Sequence, residues 1–580
     1  MRRPIAWLLL AFILAIFALF LLWPIVLVVR VGFFGIPAPG QPPQGFTLDY
    51  LKAIFLDADL RRGLLNSAGI AIAVTAVCML ISVPLAVLSV RFDFAGKGLA
   101  NALLLVPLIL PPFVGAIGMR QILGRYGALT ALAQHLGIVG PNTPIDWLGS
   151  ARVFGVILVE ALSLYPILYL NVSAALANID PAMQEAAANL GASRWTIFRR
   201  ITLPLMRPGL FAGGTIVLIW SFTELGTPLM FDFYQVTPVQ VFHRLTQVTG
   251  NPLPYALVVV MLLGSALLYV IGKLILGRGY DVAVTKAATS LASSRLKGPR
   301  AAFALLPFLL IAFLALLPHI GVVLMSVSGV GAWYQSVLPK VFTAAHYAHG
   351  LTHDVTIPAI RNSIAFAAAS TVVDIALGLI IAWLIVRSRL PGKQLIDSLS
   401  MLPLAVPGIV LAFGYLAISL WLQVLFRNSQ TIRNLVDVQQ NPSVLLVVAY
   451  AMRRLPYVVR SAVAGLEQTP VDLELAARNL GASGWLTLRR ITLPLIAANL
   501  LAGGLLAFAF AMLEVSDSLI LAQRQSFWPI TKAIYELFQR LPDGPYIASA
   551  LGVWAMALLT LTILAANSFL GKRIGAIFRV

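Results

Sequence analysis

The chain has 580 residues, of which 59% are hydrophobic and only 11% are charged. Soluble domains average about 25% charged residues, so a soluble fold is excluded and a lipid bilayer is the expected solvent. The formal net charge of +19 does not indicate a nucleic-acid partner, because the basic residues lie between apolar runs, as the positive-inside rule predicts. The single cysteine, Cys78, excludes an intrachain disulfide and a cysteine zinc site.

About twelve apolar runs are long enough to cross a bilayer, which takes about 20 residues. In chain order the runs lie near residues 5–29, 65–90, 99–118, 152–175, 208–230, 254–276, 301–327, 363–386, 396–426, 443–465, 497–521 and 547–570. The first run is longer than the apolar part of a signal peptide, so we expect a retained span. An even number of spans puts both termini on one face.

The distribution of basic residues indicates which side of the membrane holds the termini. Clusters such as Arg91/Lys97, Arg199/Arg200, Arg387/Arg389 and Arg489/Arg490 all fall on the same side of the predicted spans. The positive-inside rule makes this side the cytoplasm. We therefore expect a multi-pass protein of a bacterial cytoplasmic (inner) membrane with both termini in the cytoplasm.

The sequence contains an internal repeat. Gly96-Lys97 recurs 296 residues later as Gly392-Lys393, and Gly191-Ala192-Ser193 recurs 290 residues later as Gly481-Ala482-Ser483. The six-residue difference is expected in the outer loop between the third and fourth spans of each half. An even number of spans separates the copies, so the repeat is parallel, about an axis along the membrane normal.

The predicted fold class is therefore all-α: a polytopic membrane protein with about twelve transmembrane helices in two parallel six-helix repeats. Residues 1–280 form the first half and residues 301–580 the second. The segment 281–300 is polar and basic, and it is expected to be a cytoplasmic linker.

The loop between the fourth and fifth spans carries the most informative motif. Asp180 and Pro181 suit the N-cap and first position of a short, Ala-rich helix, and Gly191 permits the turn that ends it. A second short helix is expected from Trp195 to Arg200, with Pro204 marking entry into the fifth span. This helix-turn-helix is too apolar for water alone, which predicts that it lies in a groove of a partner protein.

The pattern Glu-Ala-Ala, three residues, Gly, and about nine residues to an Ile-x-Leu-Pro ending resembles the signature loop of binding-protein-dependent ABC transporter permeases. In that family the loop forms a coupling helix that docks into the ATP-binding subunit. The resemblance implies coupling roles for Glu185, Ala186, Ala187 and Gly191, and in the second half for Glu474, Ala476, Ala477 and Gly481. It also implies, as partners, two copies of an ATP-binding subunit, an extracytoplasmic substrate-binding protein and the lipid bilayer.

The second loop departs from the family pattern. Leu475 stands at the position of the family glutamate, and Glu474 lies just before it. This departure predicts a shifted or weaker polar contact between the second loop and its partner.

Ionisable residues within the spans are candidates for function. Glu224 and Glu514 occupy matched places in the fifth spans, and the resemblance implies a role in the translocation pathway or at a subunit interface. Hydrogen-bonded packing is the alternative. In the fourth spans, Glu160 is matched by Tyr450, while Arg453, Arg454 and Arg460 belong to the second half alone. These arginines either pair with Glu160, Glu514 or Asp517, or extend to an interface.

The sequence has no phosphate-binding loop of the Gly-x-x-x-x-Gly-Lys-[Ser/Thr] type. We therefore expect a transport subunit rather than an enzyme, with no cofactor or metal of its own and with ATP and Mg on the partner subunit. The alternative class is an ion-coupled secondary transporter, which has no need of two docking loops. Fused two-half permeases of this length resemble those of the ferric-iron importer group, with relatives for thiamine and 2-aminoethylphosphonate, so ferric iron is the expected substrate.

Overall fold

The structure is a computed structural model that describes residues 3–36, 45–109, 111–141, 143–149, 152–248, 250–276, 294–540 and 542–570. Most of the predicted linker, up to residue 293, lies outside the described residues. The described part is almost entirely helical, which confirms the all-α class. Its two short strands, β1 (Phe92–Asp93) and β2 (Ser294–Arg295), pair in parallel, with Phe92 opposite Ser294.

The α-helices of the first repeat are α1 (Arg3–Phe17), α2 (Trp23–Phe34), α3 (Asp49–Leu56), α4 (Ala58–Arg91), α5 (Lys97–Leu104), α6 (Pro112–Leu123), α7 (Ala128–His135), α8 (Val153–Ala177), α9 (Pro181–Asn189), α10 (Arg194–Ile197), α11 (Leu203–Phe222), α12 (Gly226–Met230), α13 (Thr237–His243) and α14 (Leu253–Leu276). A π-helical segment, Ala18–Leu22, joins α1 to α2. Short 3₁₀ segments lie at Val106–Ile109 and Leu245–Gln247.

The α-helices of the second repeat are α15 (Pro299–Ser326), α16 (Ala345–Thr352), α17 (Thr356–Arg387), α18 (Lys393–Ala405), α19 (Gly408–Leu425), α20 (Gln430–Val436), α21 (Ser443–Gln468), α22 (Val471–Asn479), α23 (Gly484–Thr487), α24 (Leu493–Met512), α25 (Ser516–Leu521), α26 (Ile530–Arg540) and α27 (Gly544–Leu570). A 3₁₀ segment lies at Gln525–Phe527.

Within the described residues, ten helices are long and apolar enough to cross a membrane, or up to eleven if the bent pair Lys97–Leu108 and Pro112–His135 forms one span. Each of the twelve predicted runs contains a helix. The predicted run that is not among these candidate spans is that of α21. This helix is long enough to cross a membrane but contains three arginines. The third span of each repeat breaks at a proline: α6 begins after Pro111 and α19 begins after Pro407.

The chain forms two compact units, and each combines parts of both repeats. One unit contains Met1–Ala58, Val241–Leu262 and Tyr347–Ile577; the other contains Asp59–Gln240 and Leu263–His346. Thus α1 and α2 pack with helices of the second repeat, and α15 packs with helices of the first. The two compact units therefore differ from the two halves predicted from the sequence. The predicted boundary at residues 281–300 separates the repeats along the chain and stays a prediction.

Glycines in the third spans explain this grouping. A β-carbon at Gly118 of α6 would lie 2.6 Å from the backbone nitrogen of Val322 in α15, and 2.7 Å from the carbonyl carbon of Gly321. At the matched Gly414 of α19, a β-carbon would lie 2.5 Å from the Cβ of Pro24 in α2. Helices in lipid associate by close van der Waals packing, which small residues permit. The third span of each repeat therefore packs closely, at a glycine, against the first span of the other repeat.

The substitutions Gly118→Ala and Gly414→Ala should each destabilise the protein by about 1–3 kcal/mol, because the added methyl group overpacks a helix crossing. Gly69→Ala is the matched control: this glycine also lies within a helix, and its added β-carbon would meet nothing within 4 Å. There the change should be neutral or stabilising, since alanine favours the helix. Thermal unfolding in detergent measures all three. Equal midpoints for Gly118→Ala and Gly69→Ala would show that the crossing is not tight.

Candidate coupling loops and membrane carboxylates

The first loop begins with a capped helix and turns at a glycine. The Asp180 carboxylate accepts a hydrogen bond from the Ala182 backbone nitrogen at 2.9 Å, which confirms the predicted N-cap of α9. Gly191 has a φ of +82°, and the Ala192 nitrogen donates to the Ala187 carbonyl at 3.0 Å. This is the hydrogen bond that closes a left-handed helix end, so the predicted turn is confirmed.

The second loop has the same backbone course. Gly481 has a φ of +86°, and the Ala482 nitrogen donates to the Ala477 carbonyl at 3.0 Å. In both loops a serine hydroxyl, from Ser193 or Ser483, then accepts from a backbone nitrogen three residues later at 3.2 Å. The repeat therefore preserves the geometry of the loop, including its positive-φ glycine.

The prediction of a second short helix is wrong. Residues Arg194–Phe222 form one continuous helix, in which the π-helical segment Phe198–Thr202 joins α10 to α11. Pro204 has no backbone N–H, so an ordinary α-helical turn would lose a hydrogen bond there. The wider π turn, closed by the Leu203 nitrogen on the Phe198 carbonyl, precedes the proline and lets the helix continue. The second repeat has the same arrangement, with the segment Leu488–Thr492 ahead of Pro494.

Each loop presents large apolar side chains to its surroundings. Leu190 and Leu480, next to the turn glycines, are both 89% exposed, while Trp195 and Trp485 are 67% and 68% exposed. Among the predicted coupling residues, Glu185, Ala186 and Ala476 are exposed and Ala187 and Ala477 are half-buried. The two loops thus expose the same large apolar side chains at matched positions.

Glu474 does not lie on that surface. Its side chain is 6% exposed and accepts from the Nε of Arg387, at the end of α17, at 3.1 Å. The same guanidinium donates to the carbonyls of Leu466 and Thr469 at 3.0 and 2.8 Å. Glu474 thus holds α22 against its own unit, and Leu475, which is 48% exposed, takes the outward position that Glu185 has in the first loop.

The first repeat lacks this ion pair. Gln184 stands at the position of Glu474, and Arg91, which matches Arg387, donates instead to the Thr202 hydroxyl at 2.7 Å. Sequence reasoning missed both contacts. The one sequence feature that could have predicted them is the pair of matched arginines, Arg91 and Arg387, at the ends of the second spans.

Glu514 lies in a buried ion-pair cluster. Nη1 of Arg453 is 2.6 Å from Glu514 Oε1 and 3.6 Å from Asp517 Oδ2, and Arg454 pairs with the other oxygen of Glu514. Of the alternatives left open by the sequence, pairing with Glu514 and Asp517 is the one observed. Arg460 instead pairs with the partly exposed Asp397 at 3.4 Å.

Glu224 has a different environment. Its Oε1 accepts from the backbone nitrogens of Gly226 and Thr227 at 3.1 and 3.2 Å, which caps the short helix α12. In the neighbouring α8, Glu160 is buried and accepts from the hydroxyl of Ser221. The matched carboxylates Glu224 and Glu514 therefore keep the same place in the fold but differ in their partners.

A further ion pair that the sequence did not predict lies beyond α12. Asp232, with a φ of +53°, is bound by Arg120 of α6 at 3.0 Å and by Arg152, just before α8, at 2.6 Å. These residues are distant in sequence and follow no periodic pattern, so only the fold brings them together. The bridge fixes the end of α12 against the third and fourth spans.

Comparison with known proteins identifies the family of this chain. The model of the family described as binding-protein-dependent transport system inner membrane component matches residues 78–279 and 374–575, once in each repeat. The chain belongs to this family. Because the model matches twice, the chain contains two copies of this membrane component.

Three relatives are similar to this chain over long stretches. It is 27% identical to the ferric transport system permease protein FbpB of Actinobacillus pleuropneumoniae over 471 residues, which is 80% of this chain and 64% of FbpB. It is 28% identical to FbpB 1 of Haemophilus influenzae over 439 residues, 74% of this chain and 65% of that one. It is 29% identical to PhnU of Salmonella typhimurium over 244 residues, 42% of this chain and 82% of PhnU. The chain therefore spans slightly less than two thirds of the length of the two FbpB relatives.

The Arg387–Glu474 pair generates a prediction about the second loop. Arg387→Gln should destabilise the protein by about 3–5 kcal/mol, because it leaves a buried carboxylate without its charge partner. Glu474→Gln combined with Arg387→Gln should recover part of this loss, since no buried charge remains. Hydrogen exchange over residues 471–481 and thermal unfolding measure the effect.

Arg91→Gln is the matched control, because it removes the equivalent arginine where no carboxylate is left behind. It should cost less than Arg387→Gln and leave exchange in the second loop unchanged. Equal destabilisation by the two variants would mean that the buried ion pair does not hold α22.

Proposed function

We propose that this chain is the membrane-spanning permease subunit of an ATP-driven importer that passes a substrate delivered by an extracytoplasmic binding protein. The observation that carries the proposal is the pair of matched loops, each with an exposed leucine and tryptophan beside the family motif. Such side chains fit an apolar groove of another protein. Two matched loops fit two copies of one partner, which we take to be the ATP-binding subunit.

Hydrolysis of ATP is assigned to that partner. The permease has no phosphate-binding loop, so ATP and Mg are expected on the partner and no cofactor on this chain. The loops are then the points at which ATP-driven movement enters the membrane domain. An ion-coupled secondary transporter, the alternative class, would have no use for them.

Ferric iron is the substrate we propose. The support is the similarity to FbpB of Actinobacillus pleuropneumoniae, which is named as a ferric transport permease and aligns with most of this chain. 2-Aminoethylphosphonate is the second candidate, because PhnU is named for its transport. Thiamine is a third, and it rests on the family resemblance alone.

We place the protein in the cytoplasmic (inner) membrane with both termini in the cytoplasm. This orientation rests on the basic residues between the spans, such as Arg199, Arg200, Arg489 and Arg490. It puts both loops on the side where ATP is available.

The complex purified with its ATP-binding subunit should contain one permease chain and two ATP-binding chains, because one chain supplies both membrane halves. Native mass spectrometry measures this ratio. In proteoliposomes, ATP and loaded binding protein should drive uptake of radioactive ferric iron, without competition from thiamine or 2-aminoethylphosphonate. Two permease chains per complex would refute the stoichiometry, and uptake of one of the other substrates instead of iron would refute the substrate.

Bulky substitutions at the turn glycines should uncouple transport from ATP hydrolysis. Gly191→Val and Gly481→Val each place a β-carbon at a positive φ, at a cost of about 1–2 kcal/mol. That cost is too small to unfold the protein but large enough to misplace a docking helix. Because a β-carbon at either position meets nothing within 4 Å, the effect comes from the backbone and not from a clash. The first loop should be the more sensitive, since Glu185 faces outward there.

The measurements are ATPase stimulation by loaded binding protein and substrate uptake. Gly484→Ala is the control within the same loop, because this glycine has an ordinary φ and its added β-carbon also meets nothing within 4 Å. Normal stimulation and normal uptake in both valine variants would remove the reason for calling these loops coupling elements.

A further inference from the structure

A cavity of about 460 Å³ lies beside α13, α25 and α26. Its wall includes the apolar side chains of Phe242 and Leu519 and the amide side chains of Gln439 and Gln523. Lys532 adds a positive charge to this wall. All of these residues belong to one compact unit of the chain. A cavity of this size, mostly apolar with a few polar groups, is typical of a site for a small ligand.

The Lys532 side chain is 8% exposed and is held in place from two directions. Its Nζ lies 3.0 Å from Oε1 of Glu536, four residues further along α26. It also lies 5.5 Å from the ring centroid of Phe242 and 5.7 Å from that of Tyr535, distances at which a cation is attracted to an aromatic ring. The two rings meet edge to face at 5.8 Å. The ammonium group therefore has a fixed position at the cavity wall.

One contact of this ammonium group is long. Nζ donates to the Leu519 carbonyl at 3.4 Å, whereas a charged donor lies about 2.7–2.9 Å from an anionic oxygen. Lys532 and Leu519 both line the cavity, so the long contact lies at its wall. An anionic oxygen in the cavity would be a better acceptor than this carbonyl. The pair with Glu536 can persist, because an ammonium group has three N–H donors.

We propose that this cavity binds a small ligand through an anionic oxygen group, a carboxylate or a phosphonate, that accepts a hydrogen bond from Lys532. The amide groups of Gln439 and Gln523 can donate further hydrogen bonds to the same ligand. Phe242 and Leu519 provide apolar surface for the rest of the ligand. The site thus combines one fixed positive charge, neutral donors and an apolar wall, which together select a small anionic or zwitterionic molecule.

The proposal deepens the proposed function, and it rests on that function only where the ligand is taken to be the transported substrate. In the orientation proposed above, α26 lies on the extracytoplasmic side, where the substrate arrives. The ammonium group of Lys532 would repel a bare ferric ion. Iron would therefore enter this cavity only in a complex that carries anionic oxygens, whereas 2-aminoethylphosphonate already has such a group. Ligand binding is measured without transport, so the two proposals can fail separately.

The test measures binding of two probes, 2-aminoethylphosphonate and ferric citrate, to the purified full chain in detergent by equilibrium dialysis. At least one probe should bind. Lys532→Gln should weaken this binding by at least about tenfold, because a hydrogen bond from a charged donor is lost. Lys532→Arg keeps the cation and should retain most of the affinity. Lys532→Gln combined with Glu536→Gln leaves no unpaired carboxylate and should bind as weakly as Lys532→Gln alone.

A second variant tests the cavity and leaves the lysine in place. Thr246 also lines the cavity, so Thr246→Tyr should fill part of it and abolish binding of the probe. Gln247→Tyr is the matched control, because this neighbouring residue is exposed and does not line the cavity. It should bind the probe as the unmodified protein does. Unchanged thermal unfolding shows that the variants are folded.

Loss of binding in Lys532→Gln and Thr246→Tyr, with binding kept in Lys532→Arg and Gln247→Tyr, supports the site. Binding of neither probe, or equal binding by all variants, would overturn it. Recovery of binding in the double variant would also overturn it, because the loss would then come from the unpaired Glu536. If 2-aminoethylphosphonate binds at Lys532 and the assembled complex imports no iron, the substrate assignment fails and the anion site stands.

Discussion

The close crossing of the fourth and fifth spans is the contact on which both functional regions depend. At Gly213 and Gly503 the helix backbones approach so closely that a β-carbon would fall within 3 Å of a neighbouring atom. Lipid provides no hydrophobic force between helices, so such packing carries much of their association. Beyond one end of the crossing lies the loop with Gly191 or Gly481, and beyond the other lie Glu224 or Glu514. Each loop and its carboxylate are therefore ends of one rigid pair of helices.

The two repeats share a backbone and have diverged in charge. In the second repeat two buried carboxylates are paired with arginines, Glu514 with Arg453 and Arg454 and Glu474 with Arg387. In the first repeat Glu185 is exposed, and the buried Glu160 accepts a hydrogen bond from the Ser221 hydroxyl. A buried ion pair stabilises a fold only when its geometry is good, and removing one partner is costly. The second repeat thus holds Glu474 and Glu514 in ion pairs, whereas in the first repeat Glu160 and Glu224 accept hydrogen bonds from a hydroxyl and from backbone nitrogens.

The sequence was sufficient for features that depend on local chemistry. The apolar runs predicted the helices, Asp180 predicted the N-cap, and the two loop glycines predicted the positive φ. Features that depend on distant residues escaped prediction. Gly414 packs against Pro24 and Gly118 against Gly321, and these pairs are 390 and 203 residues apart in the sequence, so the grouping of the first spans had no local signal. Glu474 is one position away from the family glutamate, and on a helix one position changes the direction of a side chain by about 100°, here toward Arg387.

The π turn ahead of Pro204 and Pro494 sets the rotational phase of the fifth span. Such a turn holds one residue more than an α-helical turn, so every side chain beyond it is rotated by about 100° relative to an uninterrupted helix. Losing or gaining a residue between the loop and the span would therefore turn Glu224 or Glu514 away from the fourth span. This explains where the duplicated gene has tolerated changes in length. The two copies keep one spacing of 290 residues from the start of α8 and α21 to these glutamates, and the six-residue difference between copies falls earlier, outside this stretch.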